Sequence, residues 1–137
     1  MKIDNESLQK IYLEFQILSQ QLNQLQQQIN SITGSIIELK SLENSLEEIK
    51  KIKKEDSILI PLGNNLFIKG KLENDKEVIM GVGSKVLVKR GLSDAKTMID
   101  KQIRELDVIN LQMEHEVIHL KSQLKNLQKE LSKEGTK

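Results

Sequence analysis

The sequence predicts an α+β fold in which a long antiparallel coiled-coil helical hairpin flanks two central β-hairpins. Two observations support this prediction. Apolar residues recur at heptad spacing in both end regions of the 137-residue chain, whereas the middle holds most of the glycines, the only proline and short runs of Ile, Val and Leu. We divide the chain into an N-terminal coiled-coil helix at 1–56, an oligomerisation platform of two β-hairpins at 57–91 and a C-terminal coiled-coil helix at 92–137.

The first element is predicted to be one long helix with an apolar seam. Its seam residues alternate three and four positions apart: Leu8, Ile11, Phe15, Leu18, Leu22, Leu25, Ile29, Ile32, Ile36 and Leu39. At Glu43 the strict pattern breaks, and Leu42, Leu46 and Ile49 continue as a shifted stripe. We expect the supercoil to change there and the helix to end near Lys53.

The middle segment predicts four short strands, joined in pairs as hairpins. We place the strands at 58–62, 66–72, 77–82 and 86–89. We place the turns at Gly63-Asn64-Asn65, Asn74-Asp75 and Gly83-Ser84. Because Pro61 has no N–H to donate, we expect the first strand to be an edge strand or to carry a bulge at that position.

Two isolated hairpins are marginally stable in water, and this chain supplies no further sheet to cover their apolar side chains. We therefore expect other subunits to cover them. The candidate oligomerisation residues are Ile58, Ile60, Leu62, Leu66, Ile68, Val78, Met80, Val82, Val86 and Val88.

The last element is predicted to be a second long helix with Ser93 as its N-cap. Its seam residues are Ile99, Ile103, Leu106, Asn110, Met113, Val117, Leu120, Leu124, Leu127 and Leu131. Two interpretations of the polar Asn110 stay open: a buried Asn that fixes register or partner, or a hydrated defect of the seam. The similar helix lengths favour antiparallel pairing within one chain, with parallel pairing between chains as the alternative.

Composition narrows the function classes. The chain has 21 Lys and Arg against 20 Asp and Glu, so it lacks the basic field that drives non-specific nucleic-acid binding. It has no cysteine, which excludes disulfides and agrees with a reducing cytosol. The first residues lack the apolar core of a signal peptide, and the uncharged run at 16–37 is too polar to span a bilayer. We expect a cytoplasmic protein with neither nucleic acid nor membrane as a partner.

The segment HEVIH, residues 115–119, matches the HExxH pattern of zinc peptidases. In the heptad register, however, His115 and His119 occupy positions f and c, the two farthest from the seam, so both are expected to face water. No extended HExxHxxGxxH pattern supplies a third ligand. We interpret the pair as part of a solvated helix face and leave adventitious metal binding open.

The segment MGVGSKVL, residues 80–87, has glycines like a phosphate-binding loop. It lacks the GxxxxGK[ST] spacing, and a strand follows where a helix should begin. We therefore predict a hairpin turn with a bulge. Because the sequence also shows no plausible pair of nucleophile and base, we predict that the protein is not an enzyme and has no cofactor and no metal site.

A row of lysines repeats every four residues near the chain end, at Lys121, Lys125, Lys129 and Lys133. We interpret it as a solvated face that complements the C-terminus of the helix. A docking stripe for an acidic partner is the alternative.

The order of helix, two hairpins and helix, together with IPLGNNLFIKGKL and EVIMGVGSKVLVKRGLSDAKTMIDKQI, closely resembles the alpha class of prefoldin subunits. The resemblance covers nearly the whole chain. Its most specific parts are the run from Pro61 to Leu72, the pair Val82-Gly83 and the pair Asp94-Ala95. The resemblance implies that strands from several subunits build a β-barrel platform from which the coiled coils extend.

The same resemblance implies a function and partners. Prefoldin alpha-class and beta-class subunits form a hexamer that captures unfolded chains without ATP and delivers them to a group II chaperonin. The implied partners are therefore prefoldin beta-class subunits or further copies of this chain, unfolded client proteins and a group II chaperonin. Some archaeal alpha-like paralogues form filaments, so a self-assembling filament or scaffold is the alternative function.

Clients would bind where the two helices end. If the helices fray at the far tip of the hairpin, they expose apolar surface that an unfolded chain can cover. The candidate client-binding residues are Leu8, Ile11, Tyr12, Phe15, Leu120, Leu124, Leu127 and Leu131. The alternative is that these residues stay paired in a closed coil, as most seam residues do.

Overall fold

The computed structural model describes residues 5–73 and 76–135, which form two long helices and four strands. In chain order the elements are α1 (Asn5–Lys51), β1 (Ser57–Gly63), β2 (Leu66–Lys71), β3 (Glu77–Gly81), β4 (Leu87–Gly91) and α2 (Leu92–Gly135). This arrangement confirms the predicted fold class. The predicted turn at Asn74-Asp75 lies outside the described residues.

The chain divides into two compact units. The first, Ile37–Arg104, holds all four strands, and we term it the platform unit. The second consists of the described parts of α1 before Ile37 and of α2 after Arg104, and we term it the coil unit. The predicted division into 1–56, 57–91 and 92–137 follows element boundaries instead and stays a prediction.

Helix α1 buries the apolar seam that the heptad spacing predicts. The predicted seam residues from Leu8 to Leu39 are all at least half-buried, and Ile36 is fully buried. The helix ends at Lys51, close to the predicted end at Lys53. A single apolar stripe of this kind is what a helix needs to pack against one partner helix.

Beyond Leu39 the predicted shift of the α1 seam is wrong at Leu42, whereas Leu46 and Ile49 are at least half-buried, as predicted. Leu42 is 45% exposed, whereas Glu43 is half-buried and Leu46 is only 5% exposed. The strict alternation of three and four residues therefore continues through Glu43. An acidic side chain thus occupies this seam position, and the nearby Asp100 of α2 raises its pKa.

Helix α2 begins at Leu92, so the predicted N-cap at Ser93 is wrong. The N–H of Leu92 donates to the carbonyl of Lys76 at 2.9 Å, and the Leu92 side chain is buried. Ser93 lies inside the first turn, where its carbonyl accepts a hydrogen bond from Thr97 Oγ1 at 3.0 Å. Packing of a buried leucine, rather than a side-chain cap, fixes the start of this helix.

The seam of α2 supplies half of the buried apolar residues in the described part of the chain. Its buried members are Ile99, Ile103, Val117 and Leu120, and the other predicted positions are half-buried. Asn110 lies in this seam, where its Nδ2 donates to Thr33 Oγ1 at 3.1 Å. Its Oδ1 is buried, and no described residue donates a hydrogen bond to it. Asn110 is the only polar residue among the seam positions that the heptad spacing predicts for α2.

The two helices pair antiparallel, as predicted. In the coil unit, Thr33 contacts Asn110, and Leu25, earlier in α1, lines a groove with Leu120, later in α2. Rising residue numbers in one helix therefore meet falling numbers in the other. The contacts inside the platform unit follow the same direction.

Strand β1 pairs antiparallel with β2, and β3 with β4, so both predicted hairpins are confirmed. In the first hairpin the register shifts between Pro61 and Gly63, where we expected a bulge. Asn64 and Asn65 form its turn with φ angles of 48° and 62°. Asn adopts this left-handed conformation more readily than most residues, which suits the turns that fit the strand twist.

The second hairpin turns at the predicted glycine-containing segment. Ser84 and Lys85 have φ angles of 50° and 62°, and the N–H of Val86 donates to the carbonyl of Gly83 at 2.9 Å. Strand β4 follows directly. The segment MGVGSKVL is therefore a hairpin turn, as predicted, and not the start of a phosphate-binding helix, but the paired strands have no register shift where a bulge was expected. In the described ranges, neither helix is apolar enough over a sufficient length to cross a membrane.

Candidate assembly and client-contact surfaces

The hairpin β1–β2 gathers the predicted oligomerisation residues on one face. Ile60 pairs directly with Ile68, and Ile58 lies opposite Gly70, so the aliphatic side chains share one side of the sheet. A Cβ on Gly70 would lie 2.8 Å from Ile60 Cδ1, which shows that Ile60 extends across the bare glycine. The exposed members of the face are Ile60, Leu66 and Ile68, and Leu62 at the register shift is exposed as well. This face is apolar and open in the single chain.

The hairpin β3–β4 gathers its predicted residues in the same way. Met80 pairs with Val88, and Val78 lies on the same face. These three side chains are half-buried, whereas Val82 and Val86 beside the turn are exposed. On this face the open apolar surface therefore lies at the turn end of the hairpin.

The opposite faces of the hairpins were not predicted from the sequence. Leu59 and Phe67 on the first hairpin, and Ile79 and Leu87 on the second, are all more than half exposed. They alternate along the strands with the predicted residues. The available signal was that these strands carry apolar residues at consecutive positions, which is typical of strands covered on both faces. Each hairpin thus has exposed apolar residues on both faces, although the face that was not predicted also carries lysine.

The predicted client-binding residues lie in the coil unit, and most of them are paired in the seam. Leu120 is buried, whereas Tyr12 is 57% exposed and stands next to the exposed Leu13. The half-buried members are Leu8, Ile11, Phe15, Leu124, Leu127 and Leu131. In the closed coil, Tyr12 is therefore the only one of the eight with an exposed side chain, and the others reach a client only if the helices separate.

Helix α2 also carries a second apolar row, on the side away from the seam, that was not predicted from the sequence. Val108, Leu111 and Ile118 are exposed, and together with His115 they keep the alternation of three and four residues. We term these four residues the outer ridge. The signal was a second heptad-like row that lies alternately two positions and one position after the seam residues.

A charged cluster joins the helices inside the platform unit. Lys96 Nζ donates to Glu47 Oε1 at 2.6 Å, and Lys50 Nζ donates to the same oxygen at 3.4 Å. The hydrogen bond with Lys96, above all, lowers the pKa of Glu47, and it raises the pKa of Lys96. The pKa of the neighbouring Glu43 shifts in the opposite direction. The hydrogen bond of its carboxyl with Asp100, then desolvation and the charge of Asp100, raise this pKa.

The histidines of HEVIH lie on the solvent side of α2. His115 and His119 are both exposed, as their heptad positions predict. Within residues 5–73 and 76–135, no three His, Cys, Asp or Glu side chains come together as ligands for a metal ion. The zinc-peptidase interpretation thus lacks a ligand set in this part of the chain.

Known proteins with similar sequences point to one family. A family model described as "Prefoldin subunit" matches residues 18–137. Prefoldin subunit alpha of Methanococcus aeolicus is 36% identical over 103 residues, which cover 75% of this chain and 69% of that protein. Prefoldin subunit alpha of Pyrococcus horikoshii is 32% identical over 108 residues, which cover 78% of this chain and 73% of that protein.

A solved structure shows the same fold. The filamentous prefoldin of Methanocaldococcus jannaschii, determined by cryo-electron microscopy, superposes with a TM-score of 0.74 at 21% identity and covers 84% of this chain and 95% of its own. Membership of a chaperone family confirms the prediction that the protein is not an enzyme. With two long helices around two β-hairpins, and with relatives that are alpha subunits, the chain belongs to the prefoldin family as an alpha-class member.

Proposed function

We propose that the chain is a subunit of an ATP-independent co-chaperone that captures unfolded polypeptides with its coiled-coil tips and delivers them to a group II chaperonin in the cytoplasm. The observation that carries the proposal is the open apolar surface of both two-stranded sheets. Such sheets need cover from other subunits. Beta-class subunits or further copies of this chain would provide that cover and so gather several coils in one assembly.

Gathering several coils would make weak tip contacts useful. Each tip offers a small apolar area, at about 25 cal/mol per Å² of surface removed from water. Tips that belong to one assembly hold a client at high effective concentration, because the second contact becomes intramolecular. Release needs no chemical step, since each contact is weak and reversible by itself.

The test removes the tips and keeps the platform. In the register of the contact between Thr33 and Asn110, residue 23 of α1 is level with residue 120 of α2. A variant without residues 1–23 and 120–137 therefore shortens both helices equally and removes all eight candidate client-binding residues. We expect it to assemble like the full chain but to lose suppression of client aggregation, followed by light scattering. Full suppression by the shortened chain would contradict client contact at the tips.

A gentler variant separates exposed side chains from the seam. Tyr12→Ser combined with Leu13→Ser removes apolar groups that are already exposed and leaves the paired residues unchanged. We expect partial loss of aggregation suppression with unchanged helix content by circular dichroism. Delivery is tested separately, by refolding a client with a group II chaperonin in the presence and absence of the assembled complex.

A self-assembling filament or scaffold is the second candidate function. It is favoured by the similarity to a structure described as a filamentous prefoldin. Light scattering after size exclusion distinguishes the two, with the chain measured alone and mixed with a beta-class subunit. One discrete mixed complex supports the hexameric co-chaperone, and large polydisperse particles of the chain alone support the filament.

A further inference from the structure

The outer ridge lies in a part of α2 with one sign of charge. From Glu105 to Leu120 the helix contains four carboxylates and no Lys or Arg, and we term this stretch the acidic band. Its carboxylates are Glu105, Asp107, Glu114 and Glu116. In the part of the chain that the structure describes, no ion pair joins any of them to a cation. The band therefore keeps a net negative charge.

The facing part of α1 does not neutralise this charge. From Phe15 to Ile37, α1 contains no charged residue at all, and this stretch includes Thr33, which contacts Asn110 in the middle of the band. Arg104 and Lys121 stand only at its two borders. The middle of the coil unit thus has a neutral helix paired with an acidic one.

The apolar groups of the ridge are open within this negative field. Val108, Leu111 and Ile118 are 54%, 57% and 65% exposed. In the heptad register, Asp107 and Glu114 run along one flank of the ridge at positions e. An aliphatic row with carboxylates beside it favours a partner whose own aliphatic row is flanked by cations.

A groove beside the ridge adds depth on that flank. Glu114, Val117 and Ile118 line it from α2, and Gln26, Ile29 and Asn30 line it from α1, with a volume of about 570 Å³. Its lining combines aliphatic groups with amides and one carboxylate, without any cation. A side chain with an apolar stem and a positive end, as in Lys or Arg, suits such a lining.

We propose that the outer ridge and the acidic band form a docking surface for a basic amphipathic segment of an unfolded polypeptide, with aliphatic residues at heptad spacing and Lys or Arg on its flanks. Apolar contact provides affinity, and the uncompensated carboxylates select against acidic segments by repulsion. The inference rests on the proposed function, since it names the class of client. It differs in place, because this surface lies on the outer side of α2 and needs no separation of the helices.

The experiment uses the full chain and a matched pair of fluorescent peptides. One peptide has Leu at heptad spacing with Lys on both flanks, and the other replaces every Lys by Glu. We expect fluorescence anisotropy to show binding of the basic peptide alone. Raising the salt concentration to about 0.3 M should weaken that binding, because the charges are exposed to solvent and screened. Equal binding of both peptides would overturn the proposal.

Two variants separate the apolar and the ionic contributions. Leu111→Ser with Ile118→Ser removes exposed apolar groups, and Asp107→Asn with Glu114→Gln removes charges on one flank. Each should raise the Kd of the basic peptide about tenfold, and the second should also reduce the salt dependence. The matched control is Ile17→Ser, an exposed aliphatic position on α1 outside the band, which should bind like the parent. If both ridge variants bind like the parent, the docking surface is not here.

A second copy of this chain is the competing occupant of the ridge. If such a copy covered the ridge, Leu111→Ser with Ile118→Ser would lower the particle mass without a change in peptide Kd. That result would overturn the proposal. An unchanged mass together with a raised Kd is the result that we expect.

A second shortened chain distinguishes the ridge from the tips. A chain without residues 1–19 and 124–137 lacks seven of the eight candidate client-binding residues and keeps five residues of α2 after Ile118, so the ridge is kept clear of the fraying helix end and should still bind the basic peptide. Peptide binding by a shortened chain that no longer suppresses aggregation would separate this surface from the tips. If shortening abolishes both activities, the basic segment binds at the tips. That result would overturn this inference but not the proposed function.

Discussion

Two glutamates one helical turn apart in α1 respond to pH in opposite ways. Glu47 meets Lys96 and Lys50, whereas Glu43 meets the carboxyl of Asp100. A carboxylate beside cations favours its charged form, and a carboxyl beside another carboxyl favours its protonated form. The same stretch of helix pairing thus contains one contact that acid weakens and one that acid strengthens.

Glu43 should make the helix pairing more stable in mild acid. Because its folded pKa is raised, its contribution is complete below the unfolded pKa and is lost as pH rises through the folded pKa. Glu43→Gln keeps a hydrogen-bond donor without a charge. We expect it to raise the midpoint of thermal unfolding at neutral pH, and this gain should vanish toward about pH 4, the ordinary range for a carboxyl. Circular dichroism melts across the pH range measure it.

Glu47 provides the matched control, because replacing it by Gln should change the unfolding midpoint in the opposite direction. Its folded pKa is lowered, so its contribution is present above the unfolded pKa and is lost as pH falls through the folded pKa. Glu47→Gln should lower the midpoint slightly at neutral pH and have no effect in acid. The change should be small, since the side chain is 43% exposed and solvent screens the pair. Shifts of the same sign in both variants would contradict the assigned contacts.

Asn110 allows a direct comparison of its two interpretations. Asn110→Leu removes a buried oxygen without a partner among the described residues, and Thr33, which is exposed, can bond to water instead. We expect the free energy of unfolding in urea to rise by about 1 kcal/mol. A single, more stable species would indicate that Asn110 was a hydrated defect. Several species in NMR spectra would indicate that it fixed the register, and a loss of stability would contradict both.

At the scale of elements, the continuation of the α1 seam through Glu43 predicts which of Leu42 and Leu46 contributes more to the stability of the helix pairing. Leu46 is buried and Leu42 is not. Leu46→Ala should lower the free energy of unfolding by about 3 kcal/mol, because a buried cavity remains. Leu42→Ala, four residues earlier, should cost less than about 1 kcal/mol. Urea denaturation of the two variants compares them, and equal losses would restore the shifted stripe that the sequence indicated.

The two faces of the first hairpin predict different effects on assembly. Ile68 lies on the face that is apolar at every paired position, whereas Phe67 shares its face with Lys69. Ile68→Lys should reduce particle mass in light scattering, because assembly would bury an unpaired charge. Phe67→Lys should leave the mass unchanged, because its face already carries a charged residue. If only Phe67→Lys lowered the particle mass, the contact surface would be the face that the sequence did not predict.

At the scale of the whole molecule, the spacing of residues along the chain was sufficient to predict the helices and strands but not the contacts between them. Heptads and turn residues predicted both helices and both hairpins, because each depends only on neighbours in sequence. The role of Glu43 was not predictable in this way, since Asp100 stands far along the chain. The start of α2 depended likewise on a hydrogen bond from Leu92 to Lys76. The candidate client residues stay predictions, because a closed coil hides most of them whichever interpretation is right.

Both sheets have only two strands in the described chain, so each strand has one side without a neighbour. Exposed strand edges are templates for pairing with another chain. The single chain therefore has two reasons to associate, its apolar faces and its backbone edges. We expect its particle mass to rise with concentration even without a beta-class partner.

The uncharged stretch of α1 also affects how opening of the coil can be observed. Trypsin cleaves after Lys and Arg, and α1 has neither between Lys10 and Lys40. This part of the chain survives digestion as one peptide whether the helices are paired or fully separated. Tryptic cuts that record separation along the coil unit would therefore fall mainly in α2, at Lys121 and the lysines after it. Resistance of α1 in a limited digest would reflect its composition, and a protease that cleaves after leucine or phenylalanine is needed to detect its release.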